Sequence, residues 1–445
     1  MASAAEQLAA NLNFSAFSKA EELKKRIWFA LGALLVYRLG TYVPLPGINI
    51  EALQQAIEQQ SQGLLGVFNM FSGGAIGRMA IFALGIMPYI SASIIMQLMT
   101  AVIPSLEQLK KEGEQGRKVI NQYTRYLTVL LAVVQSYGIA AGLEGAQTQI
   151  VNEPGLFFRL TAVITLTGGT VFLMWLGEQI TSRGIGNGIS LIIFAGIVAS
   201  LPGAVAGTLQ LGQEGSISTP AMLAVFAITI MVITAIVFME RAQRRLIIQY
   251  PKRQVGNRMF QGDSSFLPLK LNTAGVIPPI FATSLLLLPI TVAQFYAQSG
   301  QLGWVATITS MLGRGQPLYL ILYGALIAFF VFFYTSIVFN PSDTADNLKR
   351  HGGFIPGRRP GQQTAEYIDY VLTRISTIGA IYLVIVCLLP EMLFAQAPIT
   401  VFFGGTSLLI VVSVTMDTVS QVQGHLLAHQ YEGLVKKSRL GSRRR

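Results

Sequence analysis

Ten long apolar stretches, separated by gaps that carry positive charge alternately, constrain this chain more than any other feature of its sequence. Each stretch is long enough for a helix to cross a hydrocarbon core of about 30 Å, at a rise of 1.5 Å per residue. We therefore predict ten transmembrane helices. The predicted spans are 27–45, 79–104, 120–142, 157–178, 189–208, 219–240, 273–297, 317–340, 376–396 and 398–423.

Lys and Arg are concentrated on one side of the predicted membrane. The N-terminus, the even-numbered gaps and the C-terminal tail hold 28 of the 32 Lys and Arg residues, with Arg125, near the start of the third stretch, counted among them. By the positive-inside rule, both termini and the large basic loops face the cytoplasm. Four arginines fall outside this pattern: Arg38, Arg78, Arg159 and Arg314.

The composition indicates the same class of protein. Charged residues make up only 12% of the chain, about half the usual share of a soluble domain. The net charge of +11 follows from topology and from attraction to anionic lipid headgroups, so it requires no nucleic-acid partner. Cys387 is the only cysteine, which excludes an internal disulfide. Residues 1–26 lack an apolar run, so we predict an amphipathic cytoplasmic segment there rather than a secretory signal.

One segment, LLGVFNMFSGGAIGR at 64–78, breaks the series of full-length spans. It is apolar but covers only about half a span, and it contains Ser72-Gly73-Gly74. Non-helical backbone at membrane depth is tolerated only where protein covers it or where it lines a water-filled cavity. We predict a re-entrant segment at a central cavity, with a helix lying on the outer membrane surface as the alternative.

Polar side chains inside the spans need partners on neighbouring helices. The polar positions are Ser91, Ser93, Gln97, Gln135, Asn187 and Asn272. From the residues alone, simple helix-to-helix contacts are the favoured interpretation. Ionisable residues are scarce in the spans and form no chain of carboxylates, which an ion-coupled pump usually displays.

Patterns typical of enzymes are weak in this chain. The run GIGNG at 184–188 lacks the strand, the last glycine and the acidic partner of a nucleotide-binding loop. His425 and His429 have the spacing of a shared metal site, but the Glu of a zinc-hydrolase motif and a third ligand are missing. Ser190 has no base on a nearby span. We expect no catalytic residue, no cofactor and no metal site.

The two longest cytoplasmic loops, 241–272 and 341–375, are both basic and longer than a connection between helices requires. A β-prone run from Leu246 to Tyr250 lies among the cations of the first loop. Positive-inside topology alone would explain the charge, whereas a docking platform would explain charge and length together. Residue patterns leave both interpretations open.

Several long stretches of this chain are distinctive as sequence: FNMFSGGAIGR (68–78), FALGIMPYISASIIMQL (82–98), KKEGEQGRKVINQYTRY (110–126), FLMWLGEQITSRGIGNGISLIIFAGI (172–197), LPLKLNTAGVIPPIFA (267–282), FGGTSLLIVVSVTMD (403–417) and the two basic loops. Together and in this order, these stretches resemble the SecY family of protein-translocation channels. They cover the protein from the first span to the last. The outer loops at 143–156, 209–218 and 298–316 match least.

The resemblance implies an all-α, polytopic fold of ten transmembrane helices in two inverted five-helix halves around a central pore. The halves would be 27–208 and 209–423, and a basic tail would occupy 424–445. Segment 64–78 would be a short re-entrant plug, with Phe68, Asn69, Met70, Phe71, Ser72, Gly73 and Gly74 as its residues. An apolar ring at the constriction would consist of Ile86, Ile90, Ile189, Ile193, Ile280 and Ile410. The members of the pairs 86/90 and 189/193 are four residues apart, so we expect each pair on one helix face.

The resemblance also implies a lateral gate and a docking site. Polar residues along the seam between spans two and three and spans seven and eight would be Ser91, Gln135 and Asn272. The docking residues for a motor or a ribosome would be Arg244, Arg245, Lys252, Arg253, Arg358 and Arg359. Arg359 matches the family's key loop arginine, and Arg358 is its neighbour.

The implied function is a protein-conducting channel that passes unfolded polypeptides outward and releases hydrophobic segments into the bilayer. The implied partners are SecE-like and SecG-like small membrane subunits, the SecA motor ATPase, the ribosome, secretory and membrane-protein precursors and anionic lipids. We expect a multi-pass protein of the bacterial cytoplasmic membrane or of a thylakoid. The alternative is a ten-span secondary transporter, which also uses inverted repeats and would need convergent charges near the midplane.

Overall fold

A computed structural model describes residues 21–53, 69, 72–145, 150–214, 219–250, 253–255, 258–260, 264–286, 316–396 and 404–442. The helices are α1 (Glu21–Gly40), α2 (Met87–Val102), α3 (Pro104–Lys111), α4 (Glu114–Glu144), α5 (Leu156–Arg183), α6 (Gly188–Gln213), α7 (Thr219–Arg241), α8 (Ile277–Leu286), α9 (Pro317–Val338), α10 (Pro341–Arg350), α11 (Gln362–Gln396) and α12 (Gly405–Ser442). The strands are β1 (Gln243–Gln249), β2 (Arg253–Val255), β3 (Arg258–Phe260) and β4 (Ser264–Lys270).

The fold is an all-α, polytopic membrane architecture. Among the described helices, seven are long and apolar enough to cross a membrane: α4, α5, α6, α7, α9, α11 and α12. The pair α2 and α3 forms one further, broken span, because the chain bends by 98° between them. Helices α1 and α8 lie within or overlap the first and seventh predicted spans, so each of the ten predicted spans has a helix in the described part of the chain.

The prediction of a continuous helix over 79–104 was wrong at both ends. Residues 72–86 form successive turns, in which Met79 and Gly85 have φ values of 43° and 56°. Helix α2 begins only at Met87, with Pro88 in its first turn, where proline's missing N–H costs no hydrogen bond. Pro104 starts a separate helix at the other end. Ile86 is therefore the N-cap residue of α2, one turn before Ile90, and its carbonyl oxygen accepts a 3.1 Å hydrogen bond from the N–H of Ile90.

Two other predicted spans begin later than expected. Residues 273–276 are turns, and α8 starts at Ile277. Gly404 is not helical, and α12 starts at Gly405. Some helices extend beyond the predicted spans instead, since α4 begins at Glu114 and α12 runs to Ser442.

One large apolar core joins α1, α2, α5, α6, α7, α8, α9, α11 and α12. Without a strong hydrophobic driving force in lipid, helices associate where small residues let their backbones approach. A Cβ added at Gly188 would lie 2.0 Å from the carbonyl oxygen of Gly177, and one added at Gly405 would lie 1.9 Å from that of Val386. These glycines bring α6 onto α5 and α12 onto α11.

The two basic loops, 241–272 and 341–375, fold into one unit, the two-loop unit. Strands β1 and β4 pair antiparallel from Gln243 opposite Lys270 to Gln249 opposite Ser264, which confirms the β-prone run predicted from the sequence. Gln249 and Phe354 exchange two backbone hydrogen bonds of 2.9 and 3.0 Å, so the second loop extends the hairpin. The inward residues of the unit form a small core: Leu246, Leu269, Ile355, Ile368 and Ile375.

Candidate functional site

A small cavity lies where the apolar helices converge. Its volume is about 30 Å³, and most of its lining is apolar. The ring residues that line it are Ile86, Ile90, Ile193, Ile280 and Ile410. They come from the cap of α2 and from α2, α6, α8 and α12. Four separate parts of the chain therefore meet at one constriction.

The sixth predicted ring residue, Ile189, does not line this cavity. It lies one turn before Ile193 on α6 and packs, partly buried, against the same core. A Cβ added at Gly177 of α5 would lie 3.2 Å from the Cγ1 atom of Ile189. Ile189 is thus directed at least in part towards α5.

The turn between α5 and α6 sets the position of Ile189 and Ile193. The side-chain oxygen of Asn187 accepts hydrogen bonds from the N–H groups of Ile189 and Ser190, as a helix N-cap does. Gly186 has a φ of 87° and donates its N–H to the side chain of Gln421 on α12. The glycine-rich run at 184–188 therefore starts α6 and ties it to the other half of the chain.

The lining of the cavity is of a kind that would oppose the passage of ions. A water molecule needs about 10–15 Å³ of such volume and two to four polar partners, and the lining offers mainly isoleucine side chains with Ser72 and Thr283 as its hydroxyl groups. Ions lose their hydration at an apolar constriction, which is an effective barrier without any charged filter. The described conformation leaves no room for a polypeptide here.

The segment predicted to be re-entrant reaches this cavity. Ser72 is buried and lines it, and the residues from 72 to 86 form turns rather than a surface helix. Asn69 stabilises the turns, because its side-chain oxygen accepts a 2.7 Å hydrogen bond from the N–H of Gly77 and its backbone oxygen accepts one of 2.6 Å from Gly74. Phe68, Met70 and Phe71 lie outside the described residues.

Gly73 and Gly74 are required by their conformation and surroundings. Their φ values are 67° and 82°, in the left-handed region that favours glycine. A Cβ at Gly73 would lie 3.2 Å from the Cα of Gly196 on α6. The segment therefore packs with its backbone against the helix that carries Ile193.

Two arginines that topology did not explain, Arg38 on α1 and Arg78 at the end of the re-entrant segment itself, contact Gly73, and sequence reasoning missed this role. Arg38 donates a 2.6 Å hydrogen bond to the carbonyl oxygen of Gly73, and Arg78 donates one of 3.1 Å to the same atom. The sequence signal that could have revealed this role is that both arginines lie outside the positive-inside pattern of the other cations. Arg159, another such arginine, instead pairs with Glu144 at 2.6 Å.

The three predicted gate residues occupy different environments. Ser91 is buried on α2, and Gln135 is half-buried on α4, which packs against α2. Asn272 is buried before α8, where its amide donates hydrogen bonds to Glu240 Oε1 at 2.6 Å and to the carbonyl of Gly275 at 3.1 Å. Within the described residues, no hydrogen bond joins these three side chains to one another.

The predicted docking arginines at 244, 245, 358 and 359 are exposed on the two-loop unit. Arg244 and Arg245 lie on β1. Arg358 and Arg359 come shortly after Phe354, which forms an antiparallel bridge with Gln249 of β1. The guanidinium of Arg358 lies 5.1 Å from the centroid of the Tyr367 ring. Lys252 lies outside the described residues, and Arg253 is described only as part of β2.

Comparison with known proteins gives close sequence relatives along almost the whole chain. The SecY family model matches residues 80–419. A protein translocase subunit SecY from Rickettsia bellii is 52% identical over 433 residues, covering 97% of this chain and 99% of the relative. The protein of the same name from Vibrio cholerae is 53% identical over 429 residues, covering 96% and 97%.

Solved structures share the fold at low sequence identity. One described as "The structure of a protein conducting channel" aligns with a TM-score of 0.67 and 17% identity, covering 91% of this chain and 92% of that one. A second, Sec61 in the canine ribosome-channel complex, aligns with a TM-score of 0.64 and 17% identity over the same shares. At this identity the likeness concerns the fold alone.

Proposed function

The chain belongs to the SecY family, and we propose that it forms a channel that translocates unfolded polypeptides across a membrane and releases hydrophobic segments into the bilayer. The observation that carries this proposal is the meeting of the five ring isoleucines and Ser72 at one cavity of about 30 Å³. An apolar constriction with a re-entrant segment against it is suited to a pore that must stay sealed until a large substrate enters. The chain then works as a channel and catalyses no reaction itself.

The isoleucine ring would act as a gasket around the moving chain. Isoleucine is stiff at χ1 because it is branched at Cβ, so five such side chains can surround an extended backbone without binding any particular sequence. The described conformation corresponds to the resting state, in which residues 68–74 act as the plug. Translocation then requires the plug to leave and the helices that carry Ile90, Ile193 and Ile410 to separate.

Lateral release would require a seam between the halves 27–208 and 209–423 to open. Ser91, Gln135 and Asn272 are the polar residues that we assign to this seam. Hydrogen bonds within a membrane contribute only about 1 kcal/mol each. A hydrophobic segment gains about 0.3–0.6 kcal/mol for each central Leu or Ile that enters lipid, so a few such residues offset the cost of opening.

Partners would bind the two-loop unit from the cytoplasm. Exposed Arg244, Arg245, Arg358 and Arg359 form the basic surface of two loops held together by the bridge between Gln249 and Phe354. Such a surface suits the acidic groups of the SecA motor and the phosphates of a ribosome. Structural neighbours described as ribosome-channel complexes support the second partner. SecE-like and SecG-like subunits would accompany the channel.

The bacterial cytoplasmic membrane, with both termini in the cytoplasm, is the location that the charge distribution and the bacterial relatives favour. A secondary transporter is not favoured. Its substrate site would need convergent charges, whereas the residues that line the cavity are apolar apart from two hydroxyl groups.

Deletion of residues 66–74 tests the proposed function. The resting channel should open spontaneously in planar bilayers, while folding survives because the plug is not a structural span. Unfolded precursor should still cross vesicles that contain the deleted protein, its small subunits and the motor with ATP. A sealed channel after the deletion, or a protein that fails to assemble, would contradict the plug assignment.

A further inference from the structure

Arg38 and Arg78 converge on one carbonyl oxygen of the plug. The bond from Arg38 Nη1 to the Gly73 oxygen is 2.6 Å long and that from Arg78 Nη2 is 3.1 Å. A carbonyl oxygen has two lone pairs, so one oxygen can accept both bonds. Hydrogen bonds from a guanidinium are shorter and stronger than those between neutral groups. The plug therefore offers a single acceptor to two cationic side chains.

Tyr42 holds both guanidinium groups in place. The Cζ atoms of Arg38 and Arg78 lie 4.8 and 4.1 Å from the centroid of its ring, within the range of cation–π contacts. Arg38 also donates to the Tyr42 hydroxyl at 2.8 Å, and Arg78 donates from Nε to the carbonyl of Thr41 at 3.2 Å. Tyr42 and Thr41, just after the end of α1, thus fix Arg78, while Arg38 reaches Gly73 from α1 itself.

Neither arginine forms an ion pair with a carboxylate among the described residues. Two like charges that share one ring repel each other, and the Gly73 oxygen is the acceptor common to both. Removal of the plug would take that acceptor away from both groups at once. The contact is also closely fitted, since a Cβ at Gly73 would lie 3.3 Å from Arg38 Nη1 and 3.2 Å from the Tyr37 hydroxyl.

We infer that Arg38, Arg78 and Tyr42 form a latch that holds the plug in the resting pore through the Gly73 carbonyl. The inference rests on the proposed plug function and assigns positioning residues to it. The latch explains why two arginines stand on the outer side of the membrane against the charge pattern. Its strength would set how easily an arriving segment displaces the plug.

Thiol labelling and conductance test the latch in the full-length channel with its small subunits. Ser72→Cys places a thiol on the buried plug, and the native Cys387 is itself buried and gives the background rate. Arg38→Gln and Arg78→Gln should each raise the rate of labelling by a membrane-impermeant maleimide from outside by about tenfold, as expected when a charge-assisted hydrogen bond is lost. Both should also raise the open probability of the resting channel.

Arg159→Gln is the matched control, because it removes an arginine from the same side of the membrane and breaks the bond to Glu144. It should leave labelling and conductance near those of the unaltered channel. Arg38→Lys keeps the charge but cannot place a planar fork on Gly73 and Tyr42 together. The Arg38→Lys channel should therefore leak less than the Arg38→Gln channel but more than the unaltered one.

Two results would overturn the latch. One is that Arg38→Gln, Arg78→Gln and Arg159→Gln give equal labelling rates and conductances. The other is that the Arg38→Lys channel is as well sealed as the unaltered channel. The plug deletion separates this failure from failure of the proposed function. If the deletion leaks and the arginine variants do not, the plug seals the pore without the latch. If the deletion itself does not leak, the plug assignment is wrong.

Discussion

The side chain of Asn272 donates a 2.6 Å hydrogen bond to Glu240, a residue of the preceding span. This bond connects the end of α7 to the turn that starts α8. Asn272, which we propose as a gate residue, is thereby held by its own half of the protein, and movement of α8 would strain or break the bond.

Asn272 and Glu240 should be coupled in setting how hydrophobic a segment must be to leave the channel. Asn272→Leu and Glu240→Ala should each shift the insertion threshold, and the double variant should shift it by less than the sum, because each single change already removes the same bond of about 0.6–1.7 kcal/mol. Insertion of a graded Leu/Ala series measures the threshold. Ser93→Ala is the control, since Ser93 bonds only within α2 to Gln97 among the described residues. Additive shifts, or a threshold unchanged in all variants, would show that the polar residues are ordinary helix contacts.

The isoleucine ring should seal the pore against ions through its apolar surface. Changing Ile86, Ile90 and Ile193 to Ser should hydrate the cavity and raise the resting conductance in planar bilayers. Ile189 provides an internal control, because it belongs to the predicted ring but does not line the cavity. We expect Ile189→Ser to leak less than Ile193→Ser. Equal leakage from both would contradict the geometry, and no leakage from the triple variant would contradict the gasket.

Reversing the charge of the proposed docking arginines should block transport without affecting insertion into the membrane. Arg359→Glu, or Arg244→Glu with Arg245→Glu, changes only one or two of the 28 cations that set the orientation. If a partner desolvates these charges, breaking one end of a pair costs about 2–5 kcal/mol, and ATP-driven translocation into vesicles should collapse. Lys110→Glu is the control on a shorter basic loop. Translocation near the unaltered level in every variant would leave topology as the sole role of the charge.

The junction between the two loops should matter as much as their charge. A Cβ at Gly353 would lie 3.0 Å from the Cγ2 atom of Ile248 and 3.1 Å from the Tyr250 ring. Gly353→Val should therefore push the second loop away from β1 and weaken motor binding, although every cation remains. Gly352→Val shows the effect of backbone strain alone, since a Cβ there meets no atom within 4 Å but Gly352 has a φ of 73°, which a β-branched residue does not adopt without strain. Binding of the motor to vesicles distinguishes the two, and equal loss would attribute the effect to the backbone.

Tyr323 should stabilise the C-terminal half independently of transport. Its hydroxyl lies 2.9 Å from Thr406 Oγ1 on α12 and accepts a longer bond of 3.4 Å from Thr283 on α8. Tyr323→Phe should lower the free energy of unfolding by about 1 kcal/mol, which thermal unfolding in detergent would detect. Tyr126→Phe removes only an exposed contact with Gln122 and should change the stability less. A melting temperature unchanged by Tyr323→Phe would show that the buried bonds contribute nothing.

Sequence patterns predicted the membrane class and the number of spans because apolar length and charge asymmetry are set by the bilayer itself. They did not predict that residues 79–86 would be non-helical, since Met79 and Gly85 adopt left-handed conformations that composition does not reveal. The hydrogen bond from Asn272 to Glu240 was not predicted either, because Glu240 lies 32 residues earlier in the sequence. The arginines were visible only as exceptions to a rule. Their acceptor is a backbone atom, which no side-chain pattern reports.

The central claim is that a polypeptide passes through the isoleucine ring, and disulfide formation with an arrested precursor tests it most directly. Cysteines would be placed one at a time at Ile193 and Ile410 of the ring and at Ile230 and Ile321, whose exposed fractions of 65% and 71% make them surface controls of the same residue type. A precursor with one cysteine is then stopped midway by a folded domain. We expect disulfides at both ring positions and none above the Cys387 background at the controls. Disulfides at the controls in equal yield, or none at the ring, would contradict it.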